Sequence, residues 1–342
     1  MLTGGQRTAS ARRQRLRIQH ARTLMASALI GCFGAGQALA QGAADYPNRP
    51  VTMVVPFSPG AATEIEGRIY ANKLGETGGQ SFVLDFKPGA NMTIGMNAVV
   101  KAKPDGYTLL YVSASYALLP LQLKNLPYDP IRNFEQVSLL SKRSAIIAIA
   151  PDLPVKNVQE FIAHARARPG QLNFATAGNG SIQHLTGLWL ASAAGIQFTF
   201  VHFKAAGSGY PDLMAGRVHA TPMTFQTSLP LLKSGKIRTI GVASLQRNDL
   251  LPDLPTFTEQ GVPGFEYASW LGLLAPEKTP AVIINKIQQE LAKVIKHPDV
   301  ANKLGAETAL YATTPAEFRR YAQNETARWK KLVSDNNIRF DD

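Results

Sequence analysis

VTMVVPFSPGAATEIEGR, residues 51–68, decides how the rest of the chain is read. Val51 to Val55 is a short apolar run of strand composition. Pro56, Pro59 and Gly60 break it, and Thr63 and Glu64 follow as helix-start residues. Ile65, Ile69 and Leu74 recur behind them at roughly helical spacing. The stretch reads as strand, tight loop, helix. Such a junction leaves the first helical N–H groups unpaired and turns the positive end of the helix dipole toward the loop. A carboxylate or phosphate can bind there without a basic side chain. An ordinary βα turn has the same pattern, so the stretch by itself leaves both readings open.

The pattern repeats outward from this unit. Phe82 to Phe86 is a strand, Pro88-Gly89-Ala90 a turn, and a helix follows to about Lys103. Tyr107 to Val112 is the next strand. This β-α-β-α-β order is that of a doubly wound α/β domain, whose ligands sit at the carboxyl ends of strands. Ser113, Ser115 and Tyr116 lie at such an end, although a polar helix cap explains either serine equally well. Ala145 to Ala150 reads as a buried strand, and Asn157 with Glu160 as a capping box for a helix through Arg168.

A second informative loop, Thr176-Ala177-Gly178-Asn179-Gly180-Ser181, again joins a strand to a helix, whose apolar face is Ile182, Leu185, Leu188 and Trp189. His184 sits in the first turn of that helix, where packing or capping is its commoner use. Strands follow at Phe198 to Phe203, Val218 to Met223, Ile237 to Ala243 and Tyr267 to Leu274. Helices close the chain at Pro280 to Lys296 and from Thr314-Pro315-Ala316-Glu317 to about Ser334.

Composition narrows the function classes. The chain has 342 residues, 45% of them hydrophobic, enough for one large domain or two modest ones. Six of the 36 basic residues precede Gln41 and no acidic residue does, so the net charge of +12 falls to +6 beyond residue 40. No Lys/Arg block is interleaved with aromatics there, which argues against nucleic acid. Arginines, then an apolar run from Leu24, then Ala38-Leu39-Ala40 form the three-part pattern of a secretory signal with cleavage after Ala40. Cys32 is the single cysteine, so no internal disulfide forms. Leu29-Ile30-Gly31-Cys32 resembles a lipoprotein box, but the apolar run continues past it to a good cleavage site, which favours simple removal.

Catalytic constellations are missing. There is no G-x-S-x-G, H-E-x-x-H, Walker loop or C-x-x-C, and His164, His184, His202, His219 and His297 lack metal-ligand spacing. The expectation is a non-enzyme without metal or cofactor. Lys204, on a small-residue loop, is available to pair with an anion, though a lone lysine is usually just solvated.

The ordered set of short motifs is more specific than any one of them. Tyr46-Pro47, Val55-Pro56-Phe57, Lys87-Pro88-Gly89-Ala90, Pro104-Asp105-Gly106-Tyr107-Thr108-Leu109, Leu126-Pro127-Tyr128-Asp129-Pro130, Ala177-Gly178-Asn179-Gly180-Ser181 with His184-Leu185, Leu254-Pro255-Thr256 and Gly272-Leu273-Leu274-Ala275-Pro276 follow one another. In this order the chain from Tyr46 onward resembles the Bug family, the periplasmic solute-binding proteins of tripartite tricarboxylate transporters. The resemblance implies two doubly wound α/β domains with a cleft between them, a type II periplasmic-binding-protein fold. Ligands of the family are mostly small carboxylates, held largely by backbone N–H groups and waters at two helix N-termini.

Carried onto this chain, one anchor is Phe57, Ser58, Gly60, Ala61, Ala62, Thr63 and Glu64, and the other Gly178, Asn179, Gly180 and Ser181. Ser113, Ser115, Tyr116, His184, Lys204, Met223 and Thr224 complete the expected lining. The chain departs from the family's pattern at Gly60-Ala61 with Glu64, at Asn91-Met92 in place of a glycine pair, at Pro222-Met223-Thr224 in place of Phe-Asp-Asn, and at Tyr116, where histidine is common. Met223, Phe57 and Tyr116 then suggest a ligand with an apolar or aromatic body.

The domain expectation is 1–40 as signal peptide, 46–141 with 264–342 as one domain, and 142–263 as the other. The expected partners are a small organic carboxylate and membrane transporter subunits, for a periplasmic monomer that binds no nucleic acid. Rival readings are an orphan sensor serving a receptor kinase and a periplasmic enzyme with His184 or Glu64 as base.

Overall fold

The computed structural model describes residues 45–57, 59, 62–90, 92–123, 126, 128–267, 269–305 and 308–335. The chain divides into two units, Met1–Asn48 and Arg49–Asp342. Of the first only residues 45–48 are described, with a cis peptide between Tyr46 and Pro47. The signal-peptide reading of residues 1–40, with Cys32, lies outside the described residues, as do Ser58, Gly60, Ala61 and Asn91. Among the described residues no helix is long and apolar enough to cross a membrane.

The second unit carries two mixed sheets. The first begins with β1 (Val51–Val55), α1 (Ala62–Gly78), β2 (Phe82–Phe86), α2 (Thr93–Val100) and β3 (Thr108–Ser113). β1 lies between β2 and β3 and is parallel to both, with Thr52 opposite Val83 and Thr108. Parallel neighbours joined by helices put the loops after β1, β2 and β3 along one edge. A 3-10 turn (Ala114–Leu118) and a short helix α3 (Leu119–Gln122) continue from β3.

β4 (Phe134–Arg143) then runs through this sheet. After Ser144 the chain enters the second sheet as β5 (Ala145–Ile149). There follow α4 (Val158–Arg166), β6 (Leu172–Thr176), α5 (Ile182–Ala194), β7 (Phe198–His202), α6 (Tyr210–Met214), β8 (Ala220–Thr224), α7 (Phe225–Lys233) and β9 (Arg238–Ala243). β10 (Ser269–Pro276) returns to the first sheet. α8 (Ala281–Ile295), α9 (Pro298–Leu304), β11 (Thr308–Leu310) and α10 (Pro315–Asp335) end the described chain. The strand orders are β11-β4-β10-β3-β1-β2 and β7-β6-β8-β5-β9. The two sheets are the cores of two α/β lobes, each with helices between its strands.

Local signals explain several element starts. Asn157 caps α4 by accepting from Glu160 N at 2.8 Å, and Glu160 accepts from Lys156 N at 2.8 Å. Thr314 and Glu317 form the same reciprocal pair at α10, at 2.8 and 3.3 Å. The sequence reading missed β4 as well as α9 and β11. β4 buries Gln136, Ser138 and Ser141, which blur any apolar alternation. Ser138 donates to Thr313 O at 3.0 Å, and Thr313 Oγ1 accepts from Leu139 N at 3.0 Å. Those partners arrive about 175 residues later, so no local window shows them.

α1 turns a different face inward from the one read in the sequence. Ile65 is 63% exposed, while Glu66, Tyr70 and Leu74, one helical stripe at i, i+4, i+8, are fully buried. Glu66 is tolerated there because its carboxylate meets Arg143 from the end of β4 at 2.7 Å, and Tyr70 donates to it at 3.0 Å. Ser141 donates to the same carboxylate. Burial pushes the Glu66 carboxyl up; the Arg143 charge and the two hydroxyl bonds act against that.

Candidate functional site

Three loops of the first lobe share one edge: after β1 (Phe57 onward), after β2 (Lys87 to Met92) and after β3 (Ser113 onward). In the second lobe β6, β7 and β8 are parallel, so Thr176, His202 and Thr224 end on one edge. The loop into α5 starts from it. Gln122, just past β3 and its turn, donates from Nε2 to Gly180 O at 3.0 Å, which brings the two edges together.

The α5 loop is braced from within. Gly178 and Gly180 both take positive φ, 110° and 70°, where a side chain is strained. Ser181 is the helix N-cap, its oxygen accepting from His184 N at 3.2 Å. Gly180 N donates to His184 Nδ1 at 3.1 Å, so the imidazole is the Nε2–H tautomer. The ring stands edge-on to Phe200 and His202, with centroids 4.6 and 4.9 Å away. Burial, and after it the His202 charge, push His184 down to about 4. His202 Nδ1 meets Thr176 Oγ1 at 2.6 Å, and Thr176 Oγ1 accepts from Gly178 N at 3.3 Å.

α1 differs in charge. Its first turn carries Glu64, paired with Arg68 at 2.6 Å, whereas the first turn of α5 holds no acidic residue. Phe57 is half-buried against the first lobe's core.

A family model described as the tripartite tricarboxylate transporter family receptor matches residues 67–338. The chain belongs to this receptor family. It is similar to the protein BugT of Bordetella pertussis, at 31% identity over 92% of this chain and 98% of that one. It is similar in structure to the R. palustris protein Rpa4515 with adipate, at 32% identity and a TM-score of 0.73, covering 86% and 99% of the two chains. MatC from Rhodopseudomonas palustris with bound malate matches at 28% identity and a TM-score of 0.69, covering 84% and 100%.

On this receptor scaffold the expected lining separates into two groups. Thr63, Glu64, Ser113, Ser115, Asn179, Ser181, Lys204 and Thr224 keep accessible surface on the two edges. Tyr116 and Met223 do not. Tyr116 is 0% exposed, donates its hydroxyl to Pro130 O and stands edge-on to Trp270. Met223 is 1% exposed in the second lobe's core, opposite Ile146 in the β5–β8 ladder. Neither offers a ligand any free surface in this structure, so the expectation of an apolar or aromatic ligand loses two of its three supports. Gly180 is buried with both backbone groups engaged, by His184 and Gln122. Its N–H is therefore already taken by His184 in this structure.

Gln122, Gln183 and the Glu66–Arg143 pair went unread in the sequence. Gln183 had the clearest signal, a polar residue in the first turn of a helix that opens behind a glycine loop. A cavity of about 490 Å³ lies at the crossing strands, lined by Lys142, Arg143, Ser144, Ser244, Glu266 and Tyr267 among others. It offers no unpaired cation from the crossing itself, since Lys142 meets Glu266 at 3.6 Å and Arg143 meets Glu66.

Proposed function

We propose that this chain is the exported solute-binding component of a tripartite tricarboxylate-type transporter, binding a small organic carboxylate between its two lobes and delivering it to the membrane subunits. The observation that carries the reading is the meeting of two strand–loop–helix edges at the Gln122–Gly180 bond, in a chain of this receptor family. Two helix N-termini on adjoining edges suit an anion that contacts both lobes, and such contacts favour the closed over the open arrangement. The adipate and malate held by the R. palustris relatives fit that chemistry.

The proposed anchors are the loop from Phe57 to Glu64 and the helix opening that the loop from Gly178 to Ser181 presents, with Ser113, Ser115 and Thr224 between them. The proposed domains are 46–141 with 264–342, and 142–263. The change of sheet at Ser144 and the return at Ser269 support that division. The protein acts as a periplasmic monomer once residues 1–40 are removed, with Gln41 as the mature N-terminus.

The enzyme alternative asks His184 or Glu64 to act as a base. His184 already accepts from Gly180 and, with a pKa near 4, is a weak base at neutral pH; Glu64 is ion-paired.

A thermal-shift screen over C4–C8 mono-, di- and hydroxycarboxylates, followed by calorimetry, tests the reading. A bound carboxylate at about 100 times its Kd adds about 2.7 kcal/mol of stability. Stoichiometric binding without turnover is expected. Silence across the whole panel, or consumption of the carboxylate, would overturn it.

A further inference from the structure

We propose that Gln183 contacts the ligand and sets its specificity: its side-chain amide, with the N–H groups of Ile182 and Gln183, takes a carboxylate that carries a second hydrogen-bonding group. This rests on the carboxylate-binding reading and deepens it.

The argument starts from which donors remain at α5. Gly180 N is held by His184, Ser181 N donates to Gly178 O at 3.2 Å, and His184 N is capped by Ser181. In a helix beginning at Ile182, the N–H groups of Ile182 and Gln183 have no partner within the helix. They lie at the positive end of a thirteen-residue dipole whose first turn has no acid to compete with an anion.

The second observation is independent of the helix end. Gln183 is only 6% exposed, yet no described residue hydrogen-bonds its amide. Gln136, also deeply buried, has both amide atoms sealed off from solvent, whereas Gln183 retains accessible surface at its amide. Gln183 shares a helical face with Gly187 and Leu190, at i, i+4, i+7. That face packs on the second sheet: a Cβ at Gly187 would lie 2.6 Å from Phe200 and 2.8 Å from Phe174, and Leu190 is in the lobe's core. α5 packs on β6 and β8, and Gln183 lies one turn nearer than Gly187 to the end of the helix that opens behind Thr176, the edge on which α/β folds place ligands. With no protein partner there, the amide meets water through its small accessible surface, and a ligand group of matching polarity takes that water's place.

An amide offers two donors and two acceptor lone pairs. The backbone N–H pair suits one carboxylate. The amide beside it suits a hydroxyl, a carbonyl or a second carboxyl, and disfavours a plain alkyl chain, because polar sites discriminate strongly against analogues that leave them unpaired.

Calorimetry with malate, adipate and hexanoate on the full chain tests this, alongside Gln183→Leu and Gln183→Glu. The wild type is expected to prefer malate or adipate over hexanoate. Gln183→Leu shrinks that preference about tenfold or more, and Gln183→Glu weakens all three by adding a negative charge. In the wild type, the Gln183 side-chain NH2 resonance moves on ligand addition, a readout that does not depend on any variant folding. A Gln183→Leu protein that keeps its melting temperature and the wild-type preference overturns the inference alone, as does an unmoved resonance on saturation. A wild type silent to all carboxylates of the wider screen overturns the carboxylate reading itself, and this inference with it.

Discussion

α1 and α5 open behind the same kind of strand–loop junction, yet opposite means hold them in place. α1 is fastened to the crossing strand β4 by a buried ion pair, Glu66 with Arg143, plus the hydroxyls of Ser141 and Tyr70. At its opening α5 is fastened by neutral groups: an imidazole on the Gly180 N–H and an amide on the Gly180 carbonyl. Their first turns differ in the same sense, with Glu64 on α1 and no acid on α5. Backbone strain follows suit. Left-handed positions around α5 fall on Gly178 and Gly180, whereas the first lobe's edge puts Ala90 and Met92 there, at φ 45° and 71°. A charged, strained edge therefore faces a neutral, relaxed one, and α5 is the better anion anchor.

The largest effect expected from this contrast is at the ion pair. Arg143→Ala leaves Glu66 charged and buried, and should lower the unfolding free energy in urea by about 3–5 kcal/mol. Burial already raises the Glu66 pKa in the fold. A raised folded pKa adds stability at low pH and loses it as pH rises, so the deficit of Arg143→Ala should shrink on acidification. A deficit independent of pH would mean that α1 is not held electrostatically.

His184 should show the opposite pH dependence. Its folded pKa of about 4 lies below the ordinary value near 6.5, so the unfolded chain takes up the proton first. Stability should fall as pH drops from about 6.5 to 4, by about 1–3 kcal/mol from this residue. His184→Asn, which keeps an acceptor but does not titrate, should lose that part of the slope in melting curves. An unchanged slope would remove the neutral imidazole from the account of α5.

Lys204→Ala sharpens the contrast from the ligand side. Lys204 is exposed, and anchoring by backbone groups predicts a loss in calorimetric binding of about 1 kcal/mol or less, as for a solvated charge. Abolished binding would hand the anchor to a side-chain cation. The smallest effect is at Ala90, exposed and left-handed. Glycine relieves about 1–2 kcal/mol of local strain and returns about 0.4–1 kcal/mol as unfolded-chain entropy. Ala90→Gly should thus stabilise the protein by up to about 1 kcal/mol in thermal melts.

Much of this was legible in the sequence because it is local. Strands β1, β2, β3 and β6, the glycine-rich loop into α5 and the capping pairs at Asn157 and Thr314 depend on residues a few positions apart. Periodicity and cap chemistry operate over that range. The order of short motifs also pointed to the receptor family. Interactions between distant segments were not legible. Ile65 looked like the inner face of α1, and only Arg143, 77 positions further on, makes Glu66 the inner residue instead. Tyr116 and Met223 sit at strand ends where ligands bind, and only packing against Trp270 and within the β5–β8 ladder seals them. Gly180 looked like an anion donor until the imidazole of His184 and the amide of Gln122 took both of its backbone groups. Which N–H groups stay free, and which buried amide goes unpaired, depends on where partners from other segments end up, and that follows from the packing of the two lobes.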